Sequence, residues 1–284
     1  MRTLLKLSPV LLPFLVLFAG GLFMAVAQSL GYFLPLENNG PFWQAYAKLL
    51  EPRYARSFGL SLYVALVSSF LCVALGSLLA CAIWKIPARI RPLATIYKIP
   101  LILPHIAVAF IVLVFWTQSG VVASLCHHLG LIDSPGQFPS LLYGGSGAGM
   151  ILAYVYKGTP FVVLLALAVL ARLDPRLVQT ARMLGASRAR VFFRVVLPHL
   201  WPVAHTTFII LFLYSFGAFD IPFLLGESSP SMLSIEAYNS YFRRDLANRP
   251  TAMAILVVMF LFSAVFIALY SKLVSRLQGK ERKL

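Results

Sequence analysis

The stretch ARLDPRLVQTARMLGASRARVFFRVVLP, residues 171–198, lies between two long apolar runs and carries six arginines. Asp174 followed by Pro175 is typical of a helix start, because aspartate caps free backbone N–H groups and proline fits the first helical position. Gly185 suits the left-handed conformation that ends many helices. The apolar positions recur at helical spacing: Leu177, Ala181 and Leu184, with Val178 beside them. The pattern predicts a short capped helix with an apolar stripe.

A second short helix is predicted immediately afterwards, over about residues 188–197. Ser187 can cap its first turn. Its apolar side would hold Val191, Phe192 and Val195. Pro198 is expected at a turn into the next apolar run, so the whole stretch would form a helix–turn–helix that lies across one membrane face.

Composition places the chain in a membrane. Of its 284 residues, 60% are hydrophobic and 12% are charged, whereas soluble domains carry about 25% charged residues. A membrane-spanning helix needs roughly 20 apolar residues, and six segments have that length: about 9–30, 58–84, 93–117, 148–172, 200–224 and 251–274. We therefore predict an all-α integral membrane protein with about six transmembrane helices.

Lysines and arginines set the predicted orientation, because they concentrate in short cytoplasmic loops. With the N-terminus inside, seventeen of the 24 fall in inner segments, including Lys280, Arg282 and Lys283 at the C-terminus. The outer loops would hold six: Lys48, Arg53, Arg56, Arg243, Arg244 and Arg249. Both termini are therefore predicted to be cytoplasmic. The net charge of +15 does not indicate nucleic-acid binding, because no basic stripe interleaved with exposed aromatic residues accompanies it.

The first apolar segment has two interpretations. It ends in Ala25-Val26-Ala27, which resembles a signal-peptidase site. The apolar run from Pro9 is longer than the usual 7–15 residues of the apolar region of a signal peptide. An uncleaved membrane helix is the favoured interpretation.

Two patterns inside the spans bear on helix shape and packing. Pro100 and Pro104 predict a bent or broken third helix, because each proline removes a backbone donor. Small side chains recur every four residues in the second span, and such spacing lets membrane helices approach closely. The positions are Ser68, Cys72, Gly76 and Ala80.

The cytoplasmic stretch also resembles a known family. Gln179-Thr180-Ala181, Gly185, Val195 and Leu197-Pro198 match the spacing of the signature loop in membrane subunits of binding-protein-dependent ABC importers. That loop reads Glu-Ala-Ala, three residues, Gly, nine residues, then Ile-any-Leu-Pro. The resemblance covers about residue 58 to the C-terminus. Gln179 replaces the family's glutamate and Thr180 its first alanine, so a carboxylate that could contact the ATPase is missing.

The resemblance implies a type I ABC importer permease fold. An N-terminal helix and outer loop (1–57) would precede the transmembrane permease domain (58–274) and a basic cytoplasmic tail (275–284). Residues 175–187 would be the coupling helix, which docks on the nucleotide-binding subunit. The residues assigned to this contact are Arg176, Gln179, Thr180, Ala181, Arg182, Gly185, Leu197 and Pro198.

The resemblance also implies that the energy source lies on another polypeptide. No Gly-x-x-x-x-Gly-Lys phosphate loop occurs, and the glycine-rich segment 144–149 lacks the lysine. The chain is therefore expected to be no enzyme and to hold no cofactor, with ATP and Mg²⁺ on the partner. The implied partners are an ABC ATPase dimer, an extracytoplasmic solute-binding protein, a second permease subunit (identical or related) and the lipid bilayer of a bacterial-type inner membrane.

Two charges fall in or beside apolar spans, where a charge is costly and usually faces an interior path. One hypothesis is that Lys157 and Asp220 line the solute path together with Tyr154, Tyr156 and Thr159. The alternatives are that Lys157 and Asp220 form a structural pair, or that Asp220 is solvated at the membrane interface. Residues 216–226 resemble the polyamine, iron, thiamine and sulfate branch of the family, which implies a small charged solute, with a polyamine-like cation as the first candidate.

Other functions remain open from the residues alone. An ATP-independent secondary transporter would leave the signature loop unexplained. A membrane electron-transfer subunit could use His105 and His205 as axial haem ligands, although no helix shows repeated histidine pairs. His127-His128 and Cys126 are expected in a solvated outer loop and do not form a metal cage.

Overall fold

The computed structural model describes residues 2–33, 40–87, 89, 91–243 and 245–281. Over these residues helices are joined by turns and irregular segments, without strands, and six helical segments are long and apolar enough to cross a membrane. The predicted all-α class and the six spans are confirmed. Three basic residues counted above lie outside the described residues: Arg244, Arg282 and Lys283.

The chain divides into two compact units. One comprises residues up to Gly59 and from Ser229 onward, and the other comprises Leu60–Ser228. The long helix α3, Pro52–Trp84, begins in the first unit and continues into the second. The predicted division at residues 57, 58 and 274 was drawn from family likeness and stays a prediction.

The first unit is built on two long helices. Helix α1, Arg2–Ser29, packs against α13, Arg249–Glu281, and the rings of Phe18 and Phe260 meet at 6.1 Å. Two short helices complete the unit, α2 (Gln44–Lys48) and α12 (Leu233–Tyr238).

An ion pair with a buried carboxylate fixes α12 in the first unit. Glu236 is 1% exposed, and its carboxylate accepts hydrogen bonds from Arg53, which is 45% exposed, at 2.8 Å and from Ser231 at 2.5 Å. Removing Arg53 would leave the buried Glu236 charge poorly compensated, which is costly.

The second unit holds the helices around the functional site. They are α4 (Ile99–Ile102), α5 (His105–Trp116), α6 (Val121–His128), α7 (Ala148–Leu170), α8 (Pro175–Met183), α9 (Arg188–Val191), α10 (Leu197–Gly217) and α11 (Asp220–Leu225). Helix α7 lies at the centre, since α4, α5, α10 and α11 all pack against it.

The predicted small-residue face of α3 is a packing face. All four of its members are buried: Ser68, Cys72, Gly76 and Ala80. Gly76 and Gly158 both lie where helices approach closely, and a Cβ added at Gly158 would come within 2.6 Å of the Cys72 sulfur. Small residues permit this approach because they leave space for the facing helix.

The third span is broken, as predicted from its prolines. Residues Arg91–Lys98 form a 3₁₀ helix, and extended backbone at Leu103 and Pro104 separates α4 from α5. The apolar helical segment begins at His105 and runs to His128, later than predicted.

Cys126 and the His127-His128 pair therefore lie in helix α6, and their prediction as loop residues is wrong. The reason is that Val121–His128 continues the apolar helix after a short interruption.

The fifth span also differs from its prediction. Helical structure runs without a turn from Arg188 to Gly217, so the turn expected at Pro198 is absent. The chain instead widens into a π-helix over Phe192–Val196, which accommodates the missing backbone donor of proline. Extended backbone at Ala218 ends the helix, and the apolar residues beyond it form the separate helix α11.

The close approach of α3 and α7 predicts a sharp difference between two glycines of α3. A Cβ at Gly76 would lie 2.5 Å from the Val162 Cβ, whereas a Cβ at Gly59 meets nothing within 4 Å. Gly76→Ala should destabilise the protein by about 1–3 kcal/mol through overpacking. Gly59→Ala should leave stability unchanged or raise it by about 0.5–1 kcal/mol. Thermal unfolding in detergent measures both, and equal midpoints for the two variants would contradict the packing described.

Candidate functional site

Helix α8 is closed at both ends by local hydrogen bonds. The Asp174 carboxylate accepts a bond from the Arg176 backbone N–H at 2.9 Å. At the other end Gly185 takes a φ of 78°, and Ala186 N–H donates to the Ala181 carbonyl at 3.0 Å. Ser187 caps the next helix by accepting from Arg190 N–H at 3.3 Å. The start, stop and second cap predicted from sequence are therefore confirmed.

The apolar side chains of α8 and its C-terminal end differ in burial: some are half-buried and others are exposed. No residue of the helix is buried. Val178 and Ala181 are half-buried, and Val178 packs against a hydrophobic cluster of the second unit. Met183 is 88% exposed and Leu184 82% exposed. The end of α8 thus presents a free apolar knob, formed by Met183 and Leu184.

The other residues assigned to the ATPase contact fall in two places. On α8, Arg176, Gln179, Thr180 and Arg182 are all exposed. Leu197 and Pro198 lie in the first turn of α10, where Leu197 is half-buried and Pro198 exposed.

Lys157 completes the broken third span. Its ammonium donates to the carbonyl oxygens of Pro100 at 2.8 Å, Leu101 at 3.1 Å and Leu103. These three bonds use all three of its donors. Pro104 and the break leave the carbonyls without helical partners, and an unpaired carbonyl inside a bilayer is costly. Lys157 therefore stabilises an otherwise unfavourable bend.

A cavity of about 250 Å³ adjoins this bend. Helix α7 contributes Tyr154, Lys157, Gly158 and Phe161, a spacing that places all four on one helical face. Its remaining wall comes from other helices: Cys72, Leu101, His105, Ile210, Leu211, Tyr214 and Ser215. Most of the lining is apolar or aromatic.

Aromatic rings surround this cavity. The His105 and Tyr214 ring centroids lie 4.9 Å apart, and those of Tyr154 and Tyr214 lie 6.2 Å apart at nearly right angles. Tyr154 is 3% exposed, and its hydroxyl has no hydrogen-bond partner among the described residues. A buried, unpaired hydroxyl in a cavity wall is available to a ligand.

Neither Asp220 nor Tyr156 lines the cavity. Asp220 is exposed at the start of α11 and interacts electrostatically with His105, Tyr154 and Tyr214. Among the described residues no ion pair joins it to Lys157, whose donors face carbonyls. Tyr156 is 41% exposed on another face of α7 and is not part of the lining.

Helix α11 is held in place by the glycine-rich segment before α7. The Tyr143 hydroxyl donates to the Leu224 carbonyl at 2.7 Å, and the Gly145 N–H donates to the Glu227 carboxylate. These two bonds fix the end of α11, and with it the position of Asp220.

Sequence reasoning missed several cavity residues. Phe161 shares its α7 face with Tyr154 and Lys157, so helical spacing could have found it. Tyr214 and Cys72 come from helices far away in sequence, and no local signal connects them. His105 was considered as a haem ligand, but its ring packs on Tyr214, while His205 packs on Trp201 at 4.5 Å.

The Lys157 contacts predict that its role in stability is independent of Asp220. Lys157→Met should lower stability by about 1–3 kcal/mol, because buried carbonyls lose their partner. Asp220→Asn and the neighbouring Tyr156→Phe should leave the unfolding midpoint in detergent unchanged. If Asp220→Asn lost as much stability as Lys157→Met, the result would instead indicate that Lys157 and Asp220 form a structural pair.

Solved structures share this fold, and curated proteins resemble the chain in sequence. The fold matches a bacterial ABC transporter involved in the import of the acidic polysaccharide alginate, with a TM-score of 0.79 and 18% identity over 97% of this chain and 96% of that one. It also matches the MetNI methionine ABC transporter, with a TM-score of 0.58 and 15% identity over 82% of this chain and 98% of that one. At these identities the likeness shows the fold, which is that of ABC importer permeases.

Two curated relatives are more similar in sequence. The spermidine/putrescine transport system permease protein PotB of Salmonella typhimurium is 29% identical over 182 residues, which cover 64% of this chain. That match spans 62% of the length of PotB. The molybdenum transport system permease protein ModB of Azotobacter vinelandii is 27% identical over 214 residues, which cover 75% of this chain and 91% of ModB.

A family match covers most of the chain and includes the α8 stretch and the cavity. Residues 72–279 match the family described as binding-protein-dependent transport system inner membrane component. This range contains five of the six membrane-spanning segments in whole or in part. The chain therefore belongs to the binding-protein-dependent transport system inner membrane component family, as a permease subunit of an ABC importer.

Proposed function

We propose that this permease forms half of the translocation pathway for a small charged solute, with a polyamine-like cation as the first candidate. Helix α8 would transmit motion from an ABC ATPase dimer, and an extracytoplasmic binding protein would deliver the solute. The second half of the pathway would come from another permease subunit. The observation that carries this proposal is the free apolar knob at the end of a rigidly capped helix.

The knob has the properties of a docking element. An exposed leucine and methionine are unfavourable in water, and a protein groove that accepts an amphipathic helix removes them from it. The caps at Asp174 and Gly185 keep α8 helical without a partner. A force on α8 would pass to the membrane helices of the second unit through Val178, which packs against the hydrophobic cluster at the end of α3 and α7.

The proposal also specifies the orientation of the chain in the membrane and the subunit that binds ATP. Helix α8 and both termini would face the cytoplasm, consistent with the predominance of lysine and arginine in the segments on that side. ATP and Mg²⁺ would bind the ATPase subunit, while this chain supplies a pathway and no covalent chemistry. ATP would close the ATPase dimer, and α8 would follow and open the cavity to the other side.

The cavity supports an ammonium-bearing solute. Tyr154 and Tyr214 line the cavity, and a cation over the face of a tyrosine ring is stabilised by about 0.5–2 kcal/mol. Asp220, which interacts electrostatically with both tyrosines and with His105, adds a negative charge near the cavity. The charge of Lys157 opposes a cation, but three carbonyl dipoles compensate it. The likeness to PotB points the same way.

An oxyanion is the second candidate. Among the residues that the structure describes, Lys157 is the one fully charged side chain that lines the cavity. ModB is named for molybdenum transport. The Lys157 donors are already engaged by carbonyls, so an anion would have to displace them. This requirement makes the oxyanion the weaker candidate.

The docking role predicts a large effect of one exposed residue. Leu184→Asp should weaken recruitment of the ATPase at least about tenfold, because truncating a central apolar anchor costs about 2 kcal/mol or more. The unfolding midpoint should not change, since the side chain is 82% exposed. Co-purification of the cognate ATPase with the detergent-solubilised permease measures the loss.

Leu131→Asp is the matched control, because Leu131 is also an exposed leucine (70%) but lies beyond α6. It should recruit the ATPase normally. Normal recruitment by Leu184→Asp would contradict the docking role.

We predict that substitutions at or near the cavity reduce solute uptake and leave ATPase recruitment unchanged. Asp220→Asn and Tyr214→Leu should each reduce uptake of labelled spermidine about tenfold, through loss of a charge or of a ring contact worth about 1–2 kcal/mol. ATPase recruitment should be unaffected. Tyr63→Leu, on an exposed part of α3 outside the cavity, is the control. Spermidine uptake that is unchanged in both the Asp220→Asn and the Tyr214→Leu variant, or molybdate uptake in place of spermidine uptake, would overturn the cation assignment.

A further inference from the structure

A second cavity, of about 370 Å³, lies beneath helix α8 in the second unit. It is bounded by the end of α3, by α8, and by the α9 and π-helical segment. Three cationic side chains contribute to it, namely Lys85, Arg182 and Arg188. We call it the basic cavity. It is separate from the ring-lined cavity described above and shares no residue with it.

The three cations have no acidic counterpart. Among the described residues none of the three side chains makes a hydrogen bond or an ion pair, and no aspartate or glutamate lines the basic cavity. Asp174 is the one acidic residue in the stretch 171–198, and its carboxylate caps α8. Three like charges around one space repel each other, and an anion would relieve that repulsion.

The basic cavity also has apolar lining residues, which we call its apolar wall. They are Val178, Phe192 and Val196, and all three belong to or pack on the hydrophobic cluster at the end of α3 and α7. The cavity therefore combines cationic and apolar lining residues. A free inorganic anion would use only the first, whereas an anionic amphiphile would use both.

We propose that the basic cavity binds the phosphate headgroup of an anionic phospholipid, with part of an acyl chain against the apolar wall. Basic pockets between membrane helices on the cytoplasmic side suit such headgroups. The α8 helix forms part of the cavity, so a bound lipid would connect α8 to the end of α3. Occupancy would stiffen the joint through which α8 acts on the membrane helices.

The proposal extends the proposed function because it assigns the cavity to the cytoplasmic leaflet. Headgroup binding itself needs neither ATPase nor solute. A failure of lipid binding would therefore leave the coupling role of α8 intact, and a failure of ATPase recruitment would leave lipid binding intact.

Native mass spectrometry of the full-length permease, titrated with phosphatidylglycerol in detergent, tests the proposal. A variant with Lys85, Arg182 and Arg188 changed to glutamine should bind this lipid at least about tenfold more weakly, since each cation near an anionic headgroup contributes about 1 kcal/mol. In the control variant, Arg172, Arg190 and Arg194 are changed to glutamine. These arginines lie in the stretch 171–198 and do not line the basic cavity. The control variant should bind within about twofold of the unchanged protein.

Two further measurements distinguish a lipid site from other outcomes. Arg182→Gln alone, at an exposed position, should weaken phosphatidylglycerol binding without lowering the unfolding midpoint. Phosphatidylcholine and inorganic phosphate should each bind more weakly than phosphatidylglycerol. Equal loss in the control triple variant would show general surface attraction and overturn the proposal. If inorganic phosphate bound as well as phosphatidylglycerol, the apolar wall would contribute nothing to binding. That result would overturn the assignment of the basic cavity to a phospholipid.

Discussion

The second unit depends on one constraint: backbone carbonyls within a bilayer must find a donor. The break at Leu103 and Pro104 removes helical partners from the end of α4, and the Lys157 ammonium supplies three donors there. A charged residue at mid-span costs at least about 2.5–3.5 kcal/mol on insertion scales. That cost is offset here because every proton is hydrogen-bonded. His105 follows the bend directly and lines the cavity, where its ring packs on Tyr214. The bend and the cavity therefore form together.

Helix α8 meets the opposite requirement, since it must stay ordered without being buried. Its stability comes from its caps and from the half-buried Val178 and Ala181. This arrangement leaves Met183 and Leu184 free for a partner while the other face remains attached to the membrane helices. A rigid element with one attached and one free face is suited to pass a rigid-body movement from one subunit to another.

Local features were predictable from sequence, and features that require distant contacts were not. Asp174, Pro175 and Gly185 set the ends of α8 through bonds within a few residues, and the Pro100/Pro104 pair predicted the break for the same reason. The ends of the third and fifth spans were predicted wrongly, because apolar residues continue past the breaks at Thr117 and Ala218. The third span was predicted to end too early, and the fifth too late. The ring-lined cavity joins helices that are remote in sequence, so only part of one wall, on α7, was foreseen.

The central claim is that the α8 knob seats on an ATPase. Site-specific photo-cross-linking measures this most directly, with a photoreactive residue at position 183 and, as a comparison, at position 131, which is also exposed. Both proteins would be expressed with the cognate ATPase in membranes and irradiated. A cross-link to the ATPase from position 183 and none from position 131 is the predicted result. Absence of an ATPase cross-link at position 183, with the complex otherwise assembled, would contradict the account.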